Sequence, residues 1–389
     1  MTNQSNVPSQ AVFTRHIGDM TALTDFLNFC VELGASDIIL MNAKPAMILA
    51  FGNQVQVTNF RFQTEQIEHI ASLVAESHNL TTALASGRDF DHAFSVEDKN
   101  NTNDRGVARR LRFRLNATAI VGRDASAMQI VLRHIPADPP TLEAVGFPDE
   151  LVDEIGLQQG SFLIAGETGS GKSTTFAACL RHIVEGNTPI RGNVVTYEAP
   201  VEYVFTDMTH AYCVVAQSEI GTHLPSFAAG LRNAMRRKPS LIVVGEMRDQ
   251  ETIRAANDAA VTGHPVYGTV HAKTSADIIR RMIGQYELNQ QQQVFPEIVL
   301  NCRILMSQTL VAREGGGRVC LRDWAVIDPT RAEELIEVGP THHVGLIRTW
   351  MEEGDRARSM KISIEAERAA GSISEETARL ALKRYGYVS

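Results

Sequence analysis

Residues 161–175, SFLIAGETGSGKSTT, decide how the rest of this chain is read. An apolar run leads into Gly166, then four residues, then Gly171, Lys172 and Ser173, which is the complete P-loop spacing. Closely spaced glycines let backbone N–H groups turn inward and cradle phosphate oxygens. Lys172 brings a point charge to the β- and γ-phosphates, and the Ser173 hydroxyl can coordinate Mg²⁺. The helix predicted from about Lys172 offers its positive N-terminus to the same anion. A glycine turn that binds nothing is the bland alternative. The intact pattern after a strand-like run argues against it and predicts a nucleoside triphosphate site.

Outward from that loop, 389 residues suit two domains with a helical tail. A composition of 44% hydrophobic and 21% charged residues is that of a soluble globular protein. The net charge of -8 gives no whole-protein grip on nucleic acid. Five cysteines, at 30, 179, 213, 302 and 320, form no C-x-x-C pair, so a reducing compartment is expected, with neither disulfides nor structural zinc. The start, MTNQSNVPSQ, lacks the basic and apolar regions of a signal peptide, and no apolar stretch nears the roughly 20 residues that span a bilayer. Work at a membrane would require recruitment there.

Residues 1–15 read as a disordered leader. A first helix is predicted over Met20–Leu33, ended by Gly34, and a second over Glu65–Glu76. SDIILM, AMILAF and QVQVTNFRF read as strands, as do VARRLRFRLNATAI and ASAMQIVLRHI. These last two and the turn between them carry Arg109, Arg110, Arg112, Arg114, Arg123 and Arg133 in a chain that is acidic overall. On its own such a run is usually a solvated strand face. The proline-rich stretch PADPPTLEAVGFP marks a linker over residues 136–156. After it, FLIAG, NVVTY, LIVVG and PVYGTV alternate with helical patterns, which argues for a mostly parallel sheet covered on both faces. Ligands of such sheets sit at the carboxyl ends of the strands.

Each of those runs ends on residues suited to a phosphate site. Glu198 and Glu202 follow NVVTY and could orient a water. Glu246 follows LIVVG as a Walker-B-like acid, and His271 follows PVYGTV. Singly each is weak, since loop carboxylates usually face solvent and a lone histidine is usually structural. Their convergence on one nucleotide is the stronger signal. No arginine of these loops completes the charge around a transferring phosphate, so one is expected from a neighbouring subunit, which predicts a ring.

At this point the chain resembles the secretion ATPases of type II and type IV secretion, type IV pili and conjugation. GETGSGKSTT is similar to the Walker A of that family, VVTYEAPVEYVF to its acidic box, LRNAMRRKPSLIVVGEMRD to its Walker B, and TGHPVYGTVHAKTSADIIRRM to its histidine box. GASDIIL resembles the opening of its PAS-like N-terminal domain, and SQTLV the hairpin that closes its RecA-like core. The resemblance implies an α/β chain: a leader at 1–15, a PAS-like α+β domain at 16–135, a linker at 136–156, a RecA-like P-loop core at 157–328 and C-terminal helices at 329–389. It implies ATP and Mg²⁺ as cofactors, held by Gly166, Thr168, Gly169, Ser170, Gly171, Lys172, Ser173 and Thr174, with Ser173 and Glu246 on the metal. Glu202 is then the general base, Glu246 the Walker B carboxylate, Lys172 the phosphate-binding catalytic lysine and His271 a γ-phosphate sensor. Arg112, Arg114, Arg123 and Arg133 become candidates for arginines acting in trans in a homohexamer.

Three departures place the branch. No tetracysteine zinc insert is present, Ala199 stands where pilus motors have an aspartate, and RAEELIE stands where retraction motors have an AIRNLI-like segment. Together they resemble the ATPases of type IVB secretion and IncI-type conjugation systems. The expected role is a cytoplasmic hexameric motor, peripheral at the inner membrane, that powers secretion or conjugative transfer by ATP-driven inter-domain motion. Its expected partners are inner-membrane platform proteins and a second secretion ATPase. A pilus-retraction motor is the nearer alternative. A nucleic-acid translocase and a nucleotide-gated scaffold are alternatives of another class, and no direct nucleic-acid contact is expected, because no aromatic set interleaves with basic residues.

Overall fold

The computed structural model describes residues 12–50, 53–75, 80, 84, 86–102, 108–122, 126–135, 138–205, 208 and 212–388. It divides into two compact units, Met1–Ala137 and Asp138–Ser389. The expected leader falls mostly outside the described residues.

In the first unit, helix α1 (Met20–Glu32) starts on Asp19, whose carboxylate accepts from the Ala22 N–H at 2.7 Å. It buries Leu23, Phe26, Leu27 and Cys30 along one side and stops at Gly34, which takes a left-handed φ of 79°. Helix α2 (Thr64–Ala75) buries Ile67, Ile70, Ala71 and Val74. Six strands, β1 (Ala35–Met41), β2 (Met47–Ala50), β3 (Asn53–Gln56), β4 (Phe90–Thr102), β5 (Ala108–Val121) and β6 (Ser126–Ile135), form an antiparallel sheet in the order β3-β2-β1-β6-β5-β4. Along β5 the period of two sends Leu111, Phe113, Leu115 and Ala117 into the core with the helices. Arg110, Arg112 and Arg114 fall on the opposite face. The charged sequence of β4 hides its strand character, yet it pairs with β5 so that Glu97 stands opposite Arg110 while Phe94 and Val96 are buried.

The second unit is built on an eight-stranded sheet in the order β14-β13-β12-β7-β11-β10-β8-β9. Strands β7 (Gly160–Ala165), β8 (Gly192–Glu198), β9 (Cys213–Glu219), β10 (Pro239–Val244), β11 (Pro265–Val270) and β12 (Cys302–Ala312) run parallel, and β13 (Arg318–Val326) and β14 (Ala357–Arg358) close one edge antiparallel. Every residue of β7 is buried. Phe162 and Ile164 enter one core cluster, Leu163 and Ala165 another, so both faces of the sheet are covered. The covering helices are α3 (Lys172–Val184), α4 (Phe227–Ala234), α5 (Gln250–Val261), α6 (Asp277–Ile283), α7 (Leu288–Asn301), α8 (Pro329–Glu353), α9 (Met360–Ala369) and α10 (Glu375–Tyr385). Helix α8 breaks at Gly339, where φ is 73° and ψ 179°. Within residues 138–156, two single-turn helices at Asp149–Leu151 and Asp153–Ile155 bury Leu151 and Ile155 with Phe147 beside Phe162, so this stretch is packed into the second unit.

Candidate nucleotide site

Parallel strands β7, β11, β10 and β8 are consecutive neighbours in the sheet, so the loops after them open on one edge. The loop after β7 turns on Gly166, Gly169 and Gly171, with φ of 148°, 79° and 87°. At Gly166 the approach is also close: a Cβ there would meet the Gln308 carbonyl oxygen and Ser170 Oγ, each at 2.5 Å. Ser170 is buried and its Oγ has no hydrogen-bond partner among the described residues. Such an unmatched polar atom inside a glycine loop at a helix N-terminus is chemistry that fits an anion.

Lys172 lies at the first turn of α3, and its Nζ donates to the carbonyls of Gly166 at 2.8 Å and Glu167 at 3.0 Å. Burial pulls its ammonium below the ordinary value, and the charges of Glu246 and Glu202 oppose that shift. Both carboxylates are therefore within electrostatic reach of the P-loop. Ser173 is exposed on the same first turn.

The Glu246 loop is held from both sides. Gly245 N donates to Tyr197 O of β8 at 2.7 Å, and Met247 N to Thr269 O of β11 at 2.8 Å. That places Glu246 Oε1 at 3.3 Å from His271 Nε2. The loop bearing Glu202 is fixed by the edge strand β9. Gln217 accepts from Phe205 N at 2.9 Å and donates to Tyr203 O at 2.8 Å, and Glu219 accepts from Val201 N at 3.1 Å. The Tyr203 hydroxyl reaches Thr174 on α3 at 3.2 Å, tying this loop to the P-loop helix. Glu198 is different in character. Its Oε1 accepts from Thr196 Oγ1 at 2.6 Å and Gln217 Nε2 at 3.0 Å, and burial raises its carboxyl above the usual range despite those bonds, with the Glu202 charge adding to the rise.

Lys172, Ser173, Glu202, Glu246 and His271 are thus gathered around one strand edge of the second unit. Such a set can cradle a triphosphate, ligate a divalent cation and orient a water. The arginines belong to the first unit. Arg114 and Arg133 are cross-strand neighbours on β5 and β6, and each is engaged by an acid: Arg114 Nη2 with Asp91 at 2.6 Å, Arg133 Nε with Asp37 at 2.8 Å. Arg112 shares their face of the sheet, and Arg123 lies outside the described residues.

A set of supports behind the P-loop was not expected. On β12, Gln308 is buried; its Nε2 donates to Ser170 O at 2.7 Å and its Oε1 accepts from Thr175 Oγ1 at 2.9 Å. Opposite it on β13, the buried Arg322 donates to Thr175 Oγ1 at 3.2 Å and to the carbonyls of Gly146 at 2.6 Å and Val145 at 2.9 Å. The signal for Gln308 was a polar run, Ser307-Gln308-Thr309, set between the apolar ILM and LVA of β12.

Comparison with known proteins agrees with this geometry. Residues 25–322 match the family described as type II/IV secretion system protein. The type IV pilus retraction ATPase PilT of Pseudomonas aeruginosa is 32% identical over 357 residues, 92% of this chain and 97% of that one. The crystal structure of the Legionella pneumophila ATPase DotB superposes with a TM-score of 0.83 at 34% identity, covering 96% of this chain and 100% of the other. That of the Yersinia pseudotuberculosis ATPase DotB gives 0.85 at 28% identity, covering 97% and 96%. With the P-loop, the strand-end carboxylates and the RecA-like sheet in place, the chain belongs to the type II/IV secretion system protein family and is one of its ATPases.

Proposed function

We propose that this chain is a hexameric ATPase that powers a type IVB secretion or conjugative transfer apparatus through ATP-driven motion between its two units. The observation that carries the proposal is the full-length likeness to DotB, 34% identical across 96% of this chain. EAPVE at 198–202 and RAEELIE at 331–337, the departures from the pilus-motor pattern, point the same way.

In this reading Gly166, Thr168, Gly169, Ser170, Gly171 and Thr174 frame the phosphates, and Lys172 exchanges the carbonyls of Gly166 and Glu167 for phosphate oxygens. Ser173 and Glu246 would hold Mg²⁺, which when bound would neutralise charge on the phosphates. Glu202 takes the proton of the attacking water, and the loop bonds from Gln217 and Glu219 fix where its carboxylate stands. His271, beside Glu246, senses the γ-phosphate. Arg112, Arg114, Arg123 and Arg133 are the candidates to act on the nucleotide of a neighbouring subunit, where such an arginine supplies about 10³ or more in rate. Two of them would exchange their pairing with Asp37 and Asp91 for that role. The protein would act in the cytoplasm, peripheral at the inner membrane, with platform proteins and a second secretion ATPase as partners. Among the described residues no helix is long and apolar enough to cross a membrane.

The PilT match, 32% identical over 92% of this chain, favours pilus retraction as a second reading. One strain separates the two. Deleting the coding region should abolish substrate transfer and leave twitching intact; lost twitching with normal transfer would establish retraction instead.

A further inference from the structure

Helix α10 bears on the P-loop. It begins at Ser374, whose side chain accepts from Thr377 N at 3.1 Å, and Ala378 and Ala381 are buried against Val319 and Leu321 of β13. Its last turn sits beside two strand ends of the nucleotide site. Arg384 Nη2 is 2.5 Å from Glu167 Oε2, in the loop between Gly166 and Lys172. Lys273 Nζ, two residues after His271, lies 5.8 Å from the centre of the Tyr385 ring.

Glu167 is an acid in a loop built to receive polyanions. Its side chain is 75% exposed, and its own carbonyl accepts from Lys172. An unbalanced carboxylate there would repel a nucleoside triphosphate. We propose that Arg384 is a positioning residue for the nucleotide: it neutralises Glu167 and holds it against α10, so that the mouth of the P-loop carries no free negative charge. The Arg384 hydrogen bond and charge hold the Glu167 carboxyl below its usual range, with a smaller contribution from Lys273. The helix is anchored independently of this pair by its cap, its buried alanines and the packing of Tyr385, so loss of the guanidinium leaves α10 in place. Both partners are well exposed, which bounds the effect to the range of surface ion pairs rather than that of an arginine on the transferring phosphate.

The inference rests on the nucleotide-site reading, and equilibrium titration of the full chain with a fluorescent ATP analogue tests the two separately. A parent protein that binds no nucleotide overturns the site reading itself. Given binding, Arg384→Ala should weaken it about two- to fivefold, with the thermal midpoint unchanged. That loss should shrink as salt is raised, because exposed charges are screened. Adding Glu167→Gln to Arg384→Ala should recover most of the affinity. Unchanged affinity in Arg384→Ala, or a loss that the double variant retains, would overturn the proposal. So would a fall of about 10³ in turnover at saturating ATP, which would place the guanidinium on the reacting phosphate.

Discussion

Two neighbouring glutamates separate by environment. Glu198 is half-buried, and the bonds from Thr196 and Gln217 both fall on one carboxylate oxygen, whereas Glu202 stands in the loop that β9 positions. Glu202→Gln should therefore keep nucleotide binding and lower turnover by about 10²-fold or more. Glu198→Gln should leave turnover near the parent's and change stability by less than about 1 kcal/mol, since the amide oxygen can still accept from Thr196 and Gln217. Turnover assays and urea titrations on both variants check the division, and normal turnover in Glu202→Gln would show that the base is elsewhere. Asp323 offers a pH test. It is fully buried, accepts from Ser275 N at 2.8 Å, and burial pushes its carboxyl up to about 6 from 3.8. Because its folded value is the higher one, the stability it gives is complete below about pH 4 and is lost as pH rises through 6. Asp323→Asn should flatten that fall, which is on the order of 2–3 kcal/mol. Urea midpoints between about pH 4 and pH 7 should show the difference, and an unchanged slope would refute it.

The β12–β13 hairpin is the element that ties the P-loop to the segment leading into the second unit. Its register sets Gln308 opposite Arg322, and both meet at Thr175. Gln308→Leu strips the Ser170 carbonyl of its side-chain donor and the Thr175 hydroxyl of its acceptor, leaving only the Arg322 donor on Thr175, at about 1–3 kcal/mol, and should also weaken nucleotide binding because the loop loses its support. Denaturation and nucleotide titration measure the two, and a variant unchanged in both would refute this account of the hairpin. In α8 the left-handed φ of 73° at Gly339 restarts the helix at Pro340. Gly339→Ala should cost about 1–3 kcal/mol there, because a positive φ with an extended ψ is a region that essentially only glycine adopts, and this is read as a lowered thermal midpoint.

At this scale the limits of the sequence have physical causes. FLIAG, NVVTY, LIVVG and PVYGTV were legible because buried parallel strands are continuously apolar. Strands β4 and β9 were not, since edge strands need bury little: β9 buries only Cys213 outright, and β4 carries acids that answer the arginines of β5. The proline-rich stretch read as a linker because its four prolines mask the four-residue spacing at which Phe147, Leu151 and Ile155 bury. The site motifs were legible because each sits directly after its strand. Gln217, Glu219, Arg322 and Arg384 were not, because they act through contacts distant in sequence and match no local pattern, and Gln308 showed only as part of a polar run.

For the whole molecule, the proposed ring predicts that native mass is that of a hexamer when ATP is present, and a monomer under all nucleotide conditions would contradict it. Mixed rings extend the test to the arginines. Combining a subunit carrying Arg→Ala at a true trans-acting position with one carrying Lys172→Ala should restore part of the turnover that each alone lacks, whereas an arginine serving only its own fold would give no rescue. Beneath both lies the claim that this edge of the sheet hydrolyses ATP. Steady-state phosphate release by the purified full chain tests it most directly, with Lys172→Ala and Glu246→Gln alongside. The account predicts turnover in the parent, none in either variant, and nucleotide binding retained in Glu246→Gln alone; a parent no faster than Lys172→Ala would contradict it.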